Sequence, residues 1–225
     1  MAMHILKTDN DHPIQGVLFD MDGVVIDSEK LYTRFWMEGA NDLGYPMTWD
    51  QALQFRGLGR GPAQLKMESF FGSEVSADVI RARRIELMEA YIAEHGVEEM
   101  PGIRALLAYL KEKGIPCAIT SSSAIPVIQR HLGNLGLLEG FTALCSGKDV
   151  PKGKPAPDIY LAGAAALGLK PENCLAIEDA PAGIEAAWRA GCRTVVVPDQ
   201  DEPDEVTLSR CFARIDSLLD VMELI

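Results

Sequence analysis

No Cys-x-x-Cys pair occurs in the chain, and no histidine stands at metal-ligand distance from its five cysteines, Cys117, Cys145, Cys174, Cys192 and Cys211. Thiols that are odd in number and widely spaced argue against a disulfide framework and against a structural zinc site. Reduced cysteines in a cytoplasmic protein are the expectation. Positive charge is scarce as well: 21 Lys and Arg stand against 33 Asp and Glu, leaving a net charge of −12. That balance argues against a nucleic-acid backbone or an anionic membrane as the main partner. Any anionic ligand must therefore meet a local positive site. Apolar runs of about 18 residues are missing, and the N-terminus does not combine a basic region, a long apolar stretch and a small-residue cleavage site. The expectation is a soluble, untargeted protein, a monomer or weak homodimer, with no internal repeat or low-complexity segment.

What the sequence does contain is enough apolar material for a core, 48% of 225 residues. That length suits one core of about 150 residues carrying an inserted module. A short apolar run over 14–19 predicts a strand that ends at Asp20-Met-Asp-Gly23. Over 27–95 the apolar spacing turns helical, broken at 44–46 and 57–62. After Pro101-Gly102 strands and helices alternate: helix 103–113, strand 115–120, helix 124–132, strand 141–145, helix 157–167, strand 174–177, helix 182–190 and strand 194–197. This alternation predicts an α/β fold with a Rossmann-like parallel sheet covered on both faces. Residues 1–25 and 97–225 form the expected α/β core, and 26–96 an inserted all-helical domain. Ligands of such sheets bind outside the carboxyl ends of the strands. Three strands deliver polar residues there: Asp20 and Asp22, Thr120 to Ser123, and Glu178-Asp179.

Each of these groups has two readings. Asp20 and Asp22, two apart at a strand end with Gly23 behind them, can point to the same side and call for a cation; they are also ordinary turn residues. A calcium loop is set aside, because Val25 and Leu31 stand where that motif needs Gly and Glu. Glu178-Asp179 supplies oxygen ligands suited to a hard cation such as Mg²⁺, or merely starts a helix with Asp179 near the N-cap. Two prolines stiffen the loop carrying Lys154, although loop lysines are ordinarily solvated. Ser121, Ser122 and Ser123 precede a helix, as an anion site or as capping residues.

In combination these segments resemble a known family. Asp20-Met-Asp-Gly-Val-Val-Ile-Asp-Ser-Glu29, the strand end at Ser121, Lys154-Pro-Ala-Pro-Asp158, and Glu178-Asp179 followed by Ala180-Pro-Ala-Gly-Ile184 look like the four motifs of the haloacid-dehalogenase superfamily. The helical insert resembles the small cap of its β-phosphoglucomutase and sugar-phosphatase branch. The resemblance implies that Asp20 attacks phosphorus to give an aspartyl-phosphate, and that Asp22 protonates the leaving oxygen and then activates the acceptor. It implies that Ser121, with Thr120 as a one-residue alternative, holds the phosphoryl group beside Ser122 and Ser123, and that Lys154 neutralises its charge. Mg²⁺ would be bound by Asp20, the Asp22 carbonyl, Glu178 and Asp179. In the insert, Arg56, Gly57 and Arg60 correspond to a loop that closes on the substrate, a small phosphorylated metabolite. One departure bears on the reaction. Ser28 and Tyr32 replace the Thr and His of the mutase pattern, which favours a sugar-phosphate phosphatase over a phosphomutase; a pyrophosphatase stays open, since cap contacts rather than the core motifs would exclude bulky substrates. A catalytically silent binding module would have lost one of Asp20, Asp22, Lys154 or Asp179, and all four are present.

Overall fold

The computed structural model describes residues 4–6, 13–56, 58–198 and 203–225. In chain order the elements are β1 (His4–Ile5), β2 (Gly16–Phe19), β3 (Ile26–Asp27), α1 (Glu29–Asp42), α2 (Trp49–Leu53), α3 (Arg60–Phe71), α4 (Ala77–His95), β4 (Glu98–Glu99), α5 (Ile103–Lys113), β5 (Cys117–Ser121), α6 (Ile125–Asn134), β6 (Ala143–Ser146), α7 (Asp158–Ala166), β7 (Cys174–Glu178), α8 (Pro181–Ala190), β8 (Arg193–Val196), α9 (Glu205–Arg210) and β9 (Ala213–Arg214). Contacts divide the chain into two compact units, Met1–Ile26 with Glu98–Ile225, and Asp27–Val97.

The first unit is built on a seven-stranded sheet in the order β1-β9-β8-β7-β2-β5-β6. Every pairing from β9 to β6 is parallel, and β1 alone runs antiparallel, against β9. The parallel sheet predicted from the alternating pattern is therefore present. Its central strands, β2 and β7, are buried along their whole length. Strands covered on both faces read as unbroken apolar runs rather than alternating ones, which is why 16–19 and 174–177 stand out in the sequence. Fully burying a side chain such as Leu18 or Phe19, each wholly inaccessible, contributes about 1.5–3 kcal/mol. On one face Leu18, Ala118 and Ala176 pack with Ile159, Tyr160 and Ala164 of α7 and Ala186 and Ala187 of α8.

Element ends differ from expectation in ways that have local causes. Strand β2 starts at Gly16 rather than at 14, and β6 starts two residues late, because the Leu138–Gly140 3₁₀ turn runs up to Phe141. Strand β5 starts two residues late, at Cys117, and extends one residue further, to Ser121. The break expected over 57–62 is shorter, since α3 opens at Arg60 with Gly59 as N-cap. Pro62 is tolerated there because first-turn N–H groups have no helical partner.

The second unit is helical between its boundary strands, α1 to α4. Trp36, Ala40, Met47, Phe55, Met67 and Ile80 form its core, with the Trp36 and Phe55 rings 4.9 Å apart. Thr48 and Gln51 form a reciprocal capping box at the start of α2. Strands β3 and β4, at the unit boundary, pair as a separate two-stranded sheet. Among the described residues, no helix is long and apolar enough to cross a membrane.

Candidate active site

Parallel register brings the polar residues together. Phe19 pairs with Ile119 on one side and with Ile177 on the other, so the next residue, Asp20, falls beside Thr120 and Glu178. The Asp20 N–H donates to the Ile177 carbonyl at 3.0 Å, carrying the ladder one step past β2. The chain then turns sharply: the Met21 carbonyl accepts from Val25 and Ile26, and the Gly23 N–H donates to Ile26. Gly23 has φ 76°, and a Cβ placed on it would overlap the Asp179 carboxylate. Only glycine suits both demands. Asp22 lies part-buried in this turn, bridged to Ile26.

Lys154, preceding a cis Lys154–Pro155 bond, is not a solvated loop lysine. Its side chain is 10% exposed, and Nζ lies 2.6 Å from both Asp20 Oδ1 and Glu178 Oε1. Tyr160 of α7 donates its hydroxyl to the same Glu178 oxygen, and Lys154 Nζ sits 5.2 Å from the centre of its ring. Gly183 at the start of α8 completes the cradle, because a Cβ there would overlap the Glu178 carboxylate.

The electrostatics follow from this crowding. Burial works against the Lys154 ammonium, but the Asp20 and Glu178 carboxylates outweigh it and hold its pKa well above the usual lysine value. Burial pushes Glu178 up to about 7, against the opposing pull of Lys154. Tyr160 is also raised well above an ordinary phenol, first by burial and then by Glu178. Asp20, Glu178 and Asp179 each offer an oxygen, and these lie within 4.8 Å of one another. Three carboxylates around one ammonium leave an excess of negative charge. An all-oxygen set of this kind, with Gly23 and Gly183 leaving space for the Asp179 and Glu178 carboxylates, fits a hard divalent cation, whose charge would keep Glu178 ionised.

The helix-capping readings are not what the structure shows. The N-cap of α8 is Ala180 and that of α6 is Ala124, and neither makes a side-chain cap bond. Neither Asp179 nor any of the three serines is the N-cap residue of its helix. Ser121 is fully buried, and its Oγ accepts from the Ser123 N–H at 3.1 Å, leaving the hydroxyl proton to donate. Thr120 instead gives its hydroxyl proton to the Phe19 carbonyl at 3.1 Å, and its methyl lies where a Cβ on Gly163 would go. Around the serines, Ser146 Oγ donates to the Ser123 carbonyl at 2.8 Å and the Gly147 N–H to the Ser121 carbonyl at 2.7 Å. Ser122 is exposed and Ser123 part-buried.

Arg56 and Arg60 belong to the helical unit. Arg56 Nε donates to the buried Thr33 hydroxyl at 3.1 Å. The Arg60 side chain is 82% exposed, with Asp78 3.8 Å from its Nε. Gly57 lies outside the described residues. Tyr160 and Gly183 are the site residues that sequence reasoning missed. The one mark of Tyr160 in the sequence is a hydroxyl in a helix that is apolar after Asp158, Asp-Ile-Tyr-Leu-Ala-Gly-Ala-Ala-Ala, which does not tell what the hydroxyl faces.

The chain is similar to known proteins. A family model described as haloacid dehalogenase-like hydrolase matches residues 14–191. Hexitol phosphatase A of Escherichia coli is 37% identical over 186 residues, 81% of this chain and 82% of that protein. Beta-phosphoglucomutase of Bacillus subtilis is 34% identical, over 82% of this chain and 83% of its own length. The crystal structure of CbbY from Rhodobacter sphaeroides in complex with xylulose-(1,5)bisphosphate superposes with a TM-score of 0.68 at 26% identity, covering 91% of this chain and 94% of that one. With the sheet order, the strand-end carboxylates and a match spanning most of its length, this chain belongs to the haloacid dehalogenase-like hydrolases.

Proposed function

We propose that the chain is a Mg²⁺-dependent phosphatase of small phosphomonoesters, sugar phosphates in particular, working through an aspartyl-phosphate on Asp20. The observation that carries this reading is Lys154 held at 2.6 Å from both Asp20 and Glu178 at the carboxyl end of the sheet. An anionic nucleophile reaches an anionic phosphate only if fixed positive charge offsets the repulsion. Asp20, the Asp22 carbonyl, Glu178 and Asp179 would hold the Mg²⁺, which supplies that remaining charge neutralisation when bound.

The chain's own residues then divide the work. An Asp20 oxygen forms a bond to phosphorus while the ester P–O bond breaks, and Asp22 gives its proton to the departing oxygen. Asp22, now a carboxylate, takes a proton from water, whose oxygen attacks phosphorus, releases inorganic phosphate and restores Asp20. Ser121 and the neighbouring N–H groups hold the phosphoryl oxygens, and Lys154 balances their charge. The helical unit serves as a cap on this reading, with Arg56, Gly57 and Arg60 selecting the rest of the substrate.

Hydrolysis is supported by the similarity to hexitol phosphatase A and by Ser28 and Tyr32, where the mutase pattern has Thr and His. The similarity to beta-phosphoglucomutase favours a second reading, phosphoryl transfer between two positions of a sugar. A phosphate-release screen with Mg²⁺ across sugar phosphates, nucleotides and pyrophosphate tests the first, and a mutase assay with added bisphosphate activator tests the second. Sugar phosphates should be hydrolysed fastest. No release from any of these esters would refute the phosphatase reading.

A further inference from the structure

Packing alone does not ask for a hydroxyl at position 160. Helix α7 is apolar and lies on the sheet face that carries Leu18, Ala118 and Ala176, where phenylalanine would fill the same space. A buried phenol needs a partner, and Tyr160, fully buried, finds it in Glu178 Oε1. That same oxygen accepts from Lys154 at 2.6 Å. On its other side the Glu178 carboxylate abuts Gly183, where no side chain could be accommodated. Glu178 is thus held between the starts of α7 and α8, its carboxylate fixed by two donors on one oxygen. The tyrosine has two separable parts: its ring underlies the Lys154 ammonium, and its hydroxyl acts on Glu178.

We propose that Tyr160 is a positioning residue for the divalent cation. By donating to Glu178 Oε1, the hydroxyl holds that carboxylate in the arrangement it shares with Asp20 and Asp179, and so raises the affinity of the site for Mg²⁺. The inference rests on reading those three carboxylates as the cation site. Groups that hold a metal ligand from behind commonly change metal affinity by about 10- to 100-fold when removed.

The test is Tyr160→Phe in the full-length chain, which keeps the ring beneath Lys154 and removes only the O–H. Mg²⁺ is titrated without substrate by calorimetry, with Mn²⁺ paramagnetic resonance as a second probe. The Mg²⁺ Kd should rise about 10-fold or more. The Mg²⁺ concentration giving half-maximal phosphate release should rise in parallel, with kcat at saturating Mg²⁺ falling by less. In a Glu178→Gln background the same substitution should add no further loss, since the hydroxyl acts through that carboxylate. A Phe variant that binds Mg²⁺ within about twofold of wild type, the scatter expected where no coupling exists, overturns the proposal whatever happens to kcat. A wild-type chain that binds no Mg²⁺, or binds it equally well after Asp179→Asn, overturns the cation-site reading itself, a result distinguishable from the first.

Discussion

Lys154 at the core rim and Arg60 in the helical unit hold their charges in opposite ways. At the rim, Lys154 and Asp20 have side chains only 10% and 11% exposed and meet at 2.6 Å. In the helical unit, Arg60 is 82% exposed with Asp78 at 3.8 Å. Desolvating an ion costs several kcal/mol, so a buried cluster with more carboxylates than ammonium groups is a poor device for stability. Its persistence points to chemistry, where preset charge is worth most. Exposed arginine carries no such cost and stays available to a partner, and a loosely held charge suits selection of substrates rather than their reaction.

Substitutions can break or sharpen this contrast. The largest effect should come from Asp20→Asn, which keeps shape but loses the carboxylate proposed as nucleophile. Phosphate release should fall on the order of 10⁴-fold or more, with an unchanged circular dichroism spectrum. Lys154→Ala should follow, lowering kcat by ~3–4 kcal/mol of transition-state stabilisation; single-turnover kinetics that match wild type would return Lys154 to the class of ordinary loop lysines. Arg60→Ala should cost ~2–3 kcal/mol in kcat/KM for the preferred sugar phosphate and far less for p-nitrophenyl phosphate, with Arg60→Lys recovering part of the difference. Equal losses on both esters would remove Arg60 from substrate selection. Gly183→Ala should destabilise the core by ~1–3 kcal/mol, since the added methyl must displace the Glu178 carboxylate; urea unfolding reads this directly. The smallest effect should be that of salt. Above about 0.1 M the screening length drops below ~10 Å, so kcat/KM for the sugar phosphate should decline while kcat, governed by buried charge, stays nearly constant.

Legibility in the sequence followed burial and length. Strands β2 and β7 were plain because both faces are covered and the residues run apolar without a break. The edge pair β1 and β9 was invisible, since two residues each carry no period to detect, and α9, six residues long, was missed for the same reason. At the site, Asp20, Lys154 and the Glu178-Asp179 pair come from three separate segments and do lie together. The meeting of Asp20 with Glu178 and Asp179 could be anticipated because the register of a parallel sheet aligns strand ends, whereas Lys154, on a loop, was expected there only from the family resemblance. Tyr160 could not be anticipated, as nothing in an apolar helix tells which turn faces a carboxylate. The choice between Thr120 and Ser121 was equally closed to sequence. It depends on which hydroxyl the neighbouring strand takes up, and here the Phe19 carbonyl takes that of Thr120.

The position of β2 in the middle of the sheet also has a bearing on how the protein is made. Asp20 is translated before the groups that define its surroundings: Lys154 lies 134 positions further along the chain, and the Ile177 carbonyl further still. Contacts of such long sequence separation close slowly, after the loop entropy between them has been overcome. On the ribosome, a nascent chain can complete its helical segment while β2 still waits for both neighbours. A polypeptide truncated before β7 would leave β2 paired with β5 on one side only and expose its other, apolar edge, the kind of surface that aggregates. Closure of the site around Asp20 and covering of the β2 edge thus both wait for the same strand, β7.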